Sequence, residues 1–183
     1  MRIITGRLKG RIIPVPDTGE LRPTADRTKE ALFSVLDSRR FMEGSRVLDL
    51  FAGSGNLGFE SISRGAATVQ FVDRHPEHLR SIQMTARSFG VETSVSTRES
   101  GVEEFLKESP TTYDLVFADP PYDYPWMEEL ITRILTDGWL NQEGWLVLEH
   151  DRRHNFSEHP DCFYNRAYGR TLVSMFERVE PKL

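Results

Sequence analysis

From Ser45 onward, short apolar runs rich in Val, Leu, Ile and Phe alternate with segments of helical period. Residues 47–50, 68–73, 93–97, 113–118 and 144–149 read as strands, and residues 56–64, 76–89, 102–107 and 126–136 as helices. Gly65 and Gly90 sit just behind the first two helices, and Pro76 opens the second. This alternation admits few folds. Parallel strands need crossovers, and crossovers place helices on both faces, so a mostly parallel sheet in an α/β sandwich of Rossmann-like topology is expected. The end departs from the pattern. Residues 163–168 and 171–177, joined by Gly169-Arg170, read as an antiparallel hairpin at the sheet edge, and the polar stretch 151–161 reads as a surface loop.

The start also stands apart. β-rich runs at residues 2–5 and 11–15 flank residues 6–10 as a short hairpin, with Pro14 and Pro16 at an edge. A helix is predicted over 24–40, with Thr24 as N-cap and Asp26 in its first turn. Leu32, Val35 and Leu36 form its apolar face, with Ala25 and Phe33 near the margins. The organisation expected is a hairpin-and-helix extension, residues 1–40, packed on a main domain, residues 41–183. The net charge of −5 is unevenly spread: residues 1–40 carry +4, leaving −9 for the rest. A basic end on an acidic body suits a local phosphate-binding patch, although such charges also serve as an ordinary solvated face. With 183 residues, 38% hydrophobic and 28% charged, the chain is the size and composition of one globular domain. No apolar run approaches the roughly 20 residues of a membrane span, and residues 1–6 show no signal-peptide pattern. One cysteine, Cys162, and no zinc-spaced Cys/His cluster point to a reducing cytoplasm and no metal.

Two loops carry the chemistry. Asp49-Leu50-Phe51-Ala52-Gly53-Ser54-Gly55 follows the first strand of the main domain, and Asp119-Pro120-Pro121-Tyr122 follows the buried strand 113–118. Ligands bind at the carboxyl ends of such strands. Gly53-Ser54-Gly55-Asn56-Leu57-Gly58 fits G-x-G-x-x-G, and Asp73 ends the next strand where it can hold ribose hydroxyls, as in a dehydrogenase. A carboxylate at Asp49 is poorly placed for a pyrophosphate and well placed for a ligand bearing an ammonium and a sulfonium. The alternative for Asp49 and Phe51 is a turn cap and a core ring. The second loop suits a planar amine. An exocyclic amine on a base is a poor nucleophile because its lone pair is conjugated with the ring, and two acceptors on its N–H bonds favour pyramidalisation. Asp119 supplies one acceptor and the Pro120 carbonyl the other, Pro121 stiffens the loop, and Tyr122 can stack on the base. The plainer alternative is a Pro-rich turn ending a strand. Together the loops suggest methyl transfer from S-adenosylmethionine to an exocyclic nitrogen.

At this point the chain resembles the class I S-adenosylmethionine-dependent methyltransferases, and within them the small bacterial enzymes that methylate guanine N2 in 16S ribosomal RNA. The resemblance runs through Gly6-Arg7-Leu8-Lys9-Gly10-Arg11; Leu21-Arg22-Pro23-Thr24-Ala25-Asp26-Arg27 with Glu30 and Phe33; the glycine loop with Glu60 and Ser63-Arg64-Gly65-Ala66; the Asp-Pro-Pro-Tyr loop; and Tyr168-Gly169. It implies a catalytic loop of Asp119, Pro120, Pro121 and Tyr122. It implies cofactor contacts from Thr24, Arg27, Asp49, Phe51, Ala52, Gly53, Ser54, Gly55, Asp73, Arg74, Gly101, Val102 and Asp119. RNA contacts are expected from Arg7, Lys9 and Arg11, on the +4 charge of residues 1–40, and from Arg22 and Tyr122. Such enzymes usually place an Asp for the adenine amine where this chain has Gly101. Adenine recognition then falls to the backbone of Gly101 and Val102, or to Ser100 or Glu99.

The expected partner is 16S rRNA or a small-subunit assembly particle, with no membrane, and a monomer is expected. Two other readings use the same residues: an adenine-N6 methyltransferase acting on DNA, and a non-catalytic RNA-binding ribosome assembly factor that keeps the fold. The small size counts against the first, and retention of both Asp119 and Tyr122 against the second.

Overall fold

The computed structural model describes residues 1–15, 26–38 and 42–177. Seven strands form one sheet: β1 (Arg46–Leu50), β2 (Thr68–Asp73), β3 (Val95–Glu99), β4 (Tyr113–Ala118), β5 (Leu140–His150), β6 (Cys162–Tyr168) and β7 (Thr171–Glu177). Their order is β3-β2-β1-β4-β5-β7-β6. The first five run parallel, and β7 is antiparallel between β5 and β6. The expected α/β sheet with a terminal hairpin is therefore the observed one. Strand β5 starts earlier than its β-rich residues suggest. Tyr113 pairs with Leu140 and Leu115 with Trp145, so residues between form a bulge that the polar run Asn141-Gln142-Glu143 concealed.

Helices cover both faces. Helices α1 (Asp26–Ser38), α2 (Asn56–Ser63) and α3 (Pro76–Phe89) bury Leu32, Phe33, Phe59, Ile62 and Ile82 against Val47, Phe71 and Phe117. The short α4 (Val102–Phe105) and α5 (Met127–Thr136) bury Phe105, Ile131 and Ile134 against Leu48, Val72 and Val116 on the other face. The amphipathic spacing of α5, with Met127, Leu130, Ile131 and Ile134 inward, makes it a surface helix with one buried stripe. At Gly58, in α2, an added Cβ would overlap the Phe71 ring, so the third glycine of the loop motif serves close helix-to-strand packing.

The N-terminal hairpin has one ladder pair, Arg2 with Ile12, supported by Ile3 N–H to Arg11 O at 2.9 Å and Ile13 N–H to Met1 O at 2.8 Å. Ile3, Leu8 and Ile13 are buried in the same core as α1 and α2, so this segment shares the core of the main domain. A buried ionic network fastens it there. Glu60, fully buried on α2, accepts from the backbone N–H groups of Ile4 (2.8 Å) and Thr5 (3.1 Å) and from Arg64 Nε (2.9 Å). Lys29 of α1, also fully buried, lies 3.2 Å from Glu60 and donates to Arg2 O (2.6 Å) and Asn56 Oδ1 (2.8 Å). Burial is the main cause of the lowered Lys29 pKa, and the Glu60 carboxylate opposes it. Among the described residues, no helix is long and apolar enough to cross a membrane.

Candidate active site

Sheet register sets the height of the site. Leu50 pairs with Val72 and with Ala118, and Ala118 with Leu148. Phe51, Asp73, Asp119 and Glu149 therefore stand one residue past a common level at the carboxyl edge. The strand order reverses direction between β1 and β4, the place where open α/β sheets leave a crevice. A cleft of about 1140 Å³ lies there, lined from the glycine loop, Asp73, Gly101, the loop after β4, Glu149 and the β6–β7 turn.

The glycine loop is shaped by two backbone choices. Phe51 adopts φ +58°, a left-handed conformation costing a non-glycine residue on the order of 1–3 kcal/mol. It turns the chain sharply out of β1 and lays the Phe51 ring edge-on to Tyr124, with centroids 5.1 Å apart. Gly55 caps α2 at φ +76°, and an added Cβ would sit 3.0 Å from Phe59 and Phe71. Asp73 then holds the loop in place: its Oδ2 accepts from Gly53 N–H and its Oδ1 from His75 N–H, both at 2.8 Å. The Asp73 carboxylate thus keeps the backbone of Gly53 at the cleft wall, and His78 Nδ1 lies 3.1 Å from the same Oδ2.

Asp49 is 4% exposed, and its Oδ2 accepts from Gly58 N–H at 3.0 Å. Burial pushes its pKa well above the usual carboxylate range, and the charges of Asp119 and Asp73 push the same way against the Gly58 bond. A cation brought into the cleft relieves that strain. A carboxyl whose pKa rises on folding costs stability above its ordinary titration range, and the cost vanishes as pH falls through that range. Asp49→Asn, which can still accept from Gly58, should therefore melt higher than the wild type at neutral pH. The gain should be about 2–4 °C for each kcal/mol relieved and should shrink toward zero in acid, while affinity for a cationic ligand falls. Calorimetric scans across pH would show this, and a lower neutral melting point for the variant would refute the account.

The loop after β4 forms the opposite wall. Asp119 and Pro121 are exposed, Pro120 is buried and Tyr122 is half-buried, and all four line the cleft. Tyr124 N–H bonds Pro121 O at 3.0 Å, so the closing bond of this turn does not consume the Pro120 carbonyl. Arg153, in the loop after β5, donates to Tyr122 O at 2.6 Å and pairs with Asp151 at the same distance. Beside it, His150 Nδ1 lies 2.9 Å from Asp151 O, a pure acceptor, so Nδ1 carries the hydrogen and Nε2 accepts from Ser174. Burial lowers the His150 pKa, which keeps the ring neutral.

The structure brings together Asp49, Phe51, Ala52, Gly53, Ser54, Asp73, Arg74, Gly101, Val102 and Asp119 to Tyr122 around one cleft. Gly55 is buried behind the loop and serves the turn. Arg27 is exposed and outside the lining, and Thr28, one residue on, lines the cleft instead, because the helical register turns residue 27 outward. Thr24 and Arg22 lie outside the described residues. Glu99 is exposed and outside the cleft, whereas Glu103 lines it. Arg7 and Lys9 lie exposed on a hairpin tip bonded to Ser63, at the far end of α2, about 12 Å of helix from the cleft. Arg11 stacks over Phe89 at 5.6 Å and reaches Ser88 O. Thr28, Glu103, Tyr124, Glu149 and Arg153 line the cleft without any short motif announcing them, as does Asn56, a variable position of the glycine motif. Among the described residues, no group of acidic, His or Cys side chains is arranged to hold a metal ion.

The chain matches the model of the family described as conserved hypothetical protein 95 over residues 1–177. It is 36% identical over 152 residues to ribosomal RNA small subunit methyltransferase D of Escherichia coli K12, covering 81% of this chain and 74% of that protein. It is 34% identical over 157 residues to the protein of the same name from Haemophilus influenzae, covering 83% and 79%. Among solved structures, a hypothetical protein of Thermus thermophilus aligns with a TM-score of 0.83 at 29% identity, covering 97% and 99%.

Proposed function

The chain belongs to the conserved hypothetical protein 95 family, with ribosomal RNA small subunit methyltransferase D as a relative, and we propose that it methylates the exocyclic N2 amine of a guanine in small-subunit rRNA. S-adenosylmethionine is the methyl donor. The observation that carries this reading is the placing of the glycine loop, Asp73 and Asp119 to Tyr122 on two sides of one cleft. The residues fit the donor. The buried Asp49 carboxylate would take its ammonium and Asp73 its ribose, while Gly53 allows close approach of the loop backbone. When bound, it supplies an electrophilic methyl group on sulfur.

The remaining work belongs to the protein. Asp119 and the Pro120 carbonyl accept the two N–H bonds of the amine and turn its lone pair toward the donor. The stiff proline pair and the Arg153 bond to Tyr122 keep that geometry without reorganisation during the reaction. The methylated nitrogen must shed a proton, and the Asp119 carboxylate, exposed at the carboxyl end of β4, would take it. Tyr122 and the half-exposed Trp126 flank the mouth, where an extruded base can stack. An rRNA substrate places the reaction in the cytoplasm, with the chain acting as a monomer.

Transfer of labelled methyl groups to purified small-subunit RNA and to assembled particles, followed by nucleoside analysis, tests the reading. N2-methylguanosine supports it. N6-methyladenine would replace it with adenine-N6 methylation, and no transfer with retained RNA binding would leave a non-catalytic assembly role.

The basic hairpin supplies RNA affinity rather than chemistry in this reading. Replacing Arg7, Lys9 and Arg11 with Ala together should weaken RNA binding and flatten its salt dependence by up to about three units of slope. Cofactor affinity should stay unchanged, since the tip stands at the far end of α2. Because Arg11 also packs on Phe89, the contrast between Arg7→Ala/Lys9→Ala and the triple variant separates phosphate contact from packing. An unaltered slope in both would show the hairpin to be structural only.

A further inference from the structure

Past Asp73 the cleft continues beyond the carboxyl end of β3, where Ser100, Gly101, Val102 and Glu103 line it. Gly101 precedes α4 with extended backbone and no side chain. A Cβ built there would meet Glu103 Oε2 at 3.3 Å, so the Glu103 carboxylate lies where a side chain at position 101 would reach. The same carboxylate lies near the Tyr124 hydroxyl, whose pKa is raised first by burial and then by Glu103. Tyr124 and Val102 are buried and the Phe51 ring packs edge-on to Tyr124. This end of the cleft is thus an apolar slot with a carboxylate at its rim. Ser100 Oγ is committed to the Gly101 carbonyl at 2.9 Å, and Glu99 lies outside.

A slot of this kind suits a flat heteroaromatic base that carries an amino group, since apolar walls take the ring faces and a carboxylate takes the N–H. With the donor's ammonium toward Asp49 and its ribose on Asp73, the base extends toward β3 and into the slot. We propose that Glu103 accepts a hydrogen bond from the exocyclic amine of the cofactor's adenine. This rests on the methyltransferase reading of the cleft.

Calorimetric titration of the full chain with S-adenosylhomocysteine and S-inosylhomocysteine tests it, because the second ligand has a carbonyl oxygen in place of the amine. Wild-type protein should prefer the adenosyl ligand by about tenfold to a hundredfold, the range for one hydrogen bond to a charged acceptor. Glu103→Gln, whose amide can donate to that oxygen, should bring the ratio close to unity or reverse it. Asp73→Ala should weaken both ligands together and leave the ratio alone. An unchanged ratio in Glu103→Gln overturns the role of Glu103 while leaving the cofactor reading intact. Failure of wild-type protein to bind either ligand overturns the cofactor reading and this inference with it.

Discussion

Asp119→Ala is expected to fold, bind S-adenosylmethionine with near wild-type affinity, and lose methyl transfer by about 10²–10³, the scale for removing one positioned partner of the transition state. The expectation follows from position. Asp119 is exposed at the carboxyl end of β4, outside both hydrophobic clusters, so its removal leaves no cavity. Its charge also disfavours ionisation of Asp49, so the variant should hold a cationic ligand no worse in that respect. Single-turnover transfer with saturating RNA separates chemistry from binding. Asp119→Asn keeps one acceptor and should retain part of the rate, though it cannot take the proton. Transfer by Asp119→Ala at close to the wild-type rate would remove the amine-gripping mechanism.

Lys29→Met should cost about 3–5 kcal/mol of stability, because it leaves the fully buried Glu60 without its buried lysine. For a domain of this size that lowers the melting midpoint by roughly 6–20 °C. Arg64 and the N–H groups of Ile4 and Thr5 still bond Glu60, which keeps the loss below that of an isolated buried charge. Adding Glu60→Gln neutralises the remaining charge, keeps an acceptor for the hairpin and should restore part of the loss. Since Lys29 also holds Asn56 at the start of α2, cofactor affinity should fall in the single variant. A midpoint within a degree or two of wild type would show that the network is incidental to the fold. Thermal scans of both variants, with and without S-adenosylmethionine, read all three effects.

The elements themselves were legible because period is a local property. Strands β2, β4 and β7 and helix α3 begin and end where the apolar runs, Pro76 and Gly90 place them. The glycine loop and the Asp-Pro-Pro-Tyr loop were equally legible, since a sharp turn and a stiff carbonyl need particular residues at fixed spacing. Other features depended on partners distant in the chain. Lys29 has the sequence context of an exposed helical residue and is buried only because α1 lies against α2 and the hairpin. Arg153 sits in a polar loop and gains a role from a carbonyl 31 residues away. Glu103 reads as an ordinary first-turn acid, and only the fold sets it, still exposed, at the cleft beside the β3 end. Local propensity and steric demand thus determined which chain segments form the walls of the cleft. Only the folding of the sheet decided which polar side chains face into it, because desolvation, ion pairing and hydrogen-bond partnership are set by neighbours in space and not in sequence.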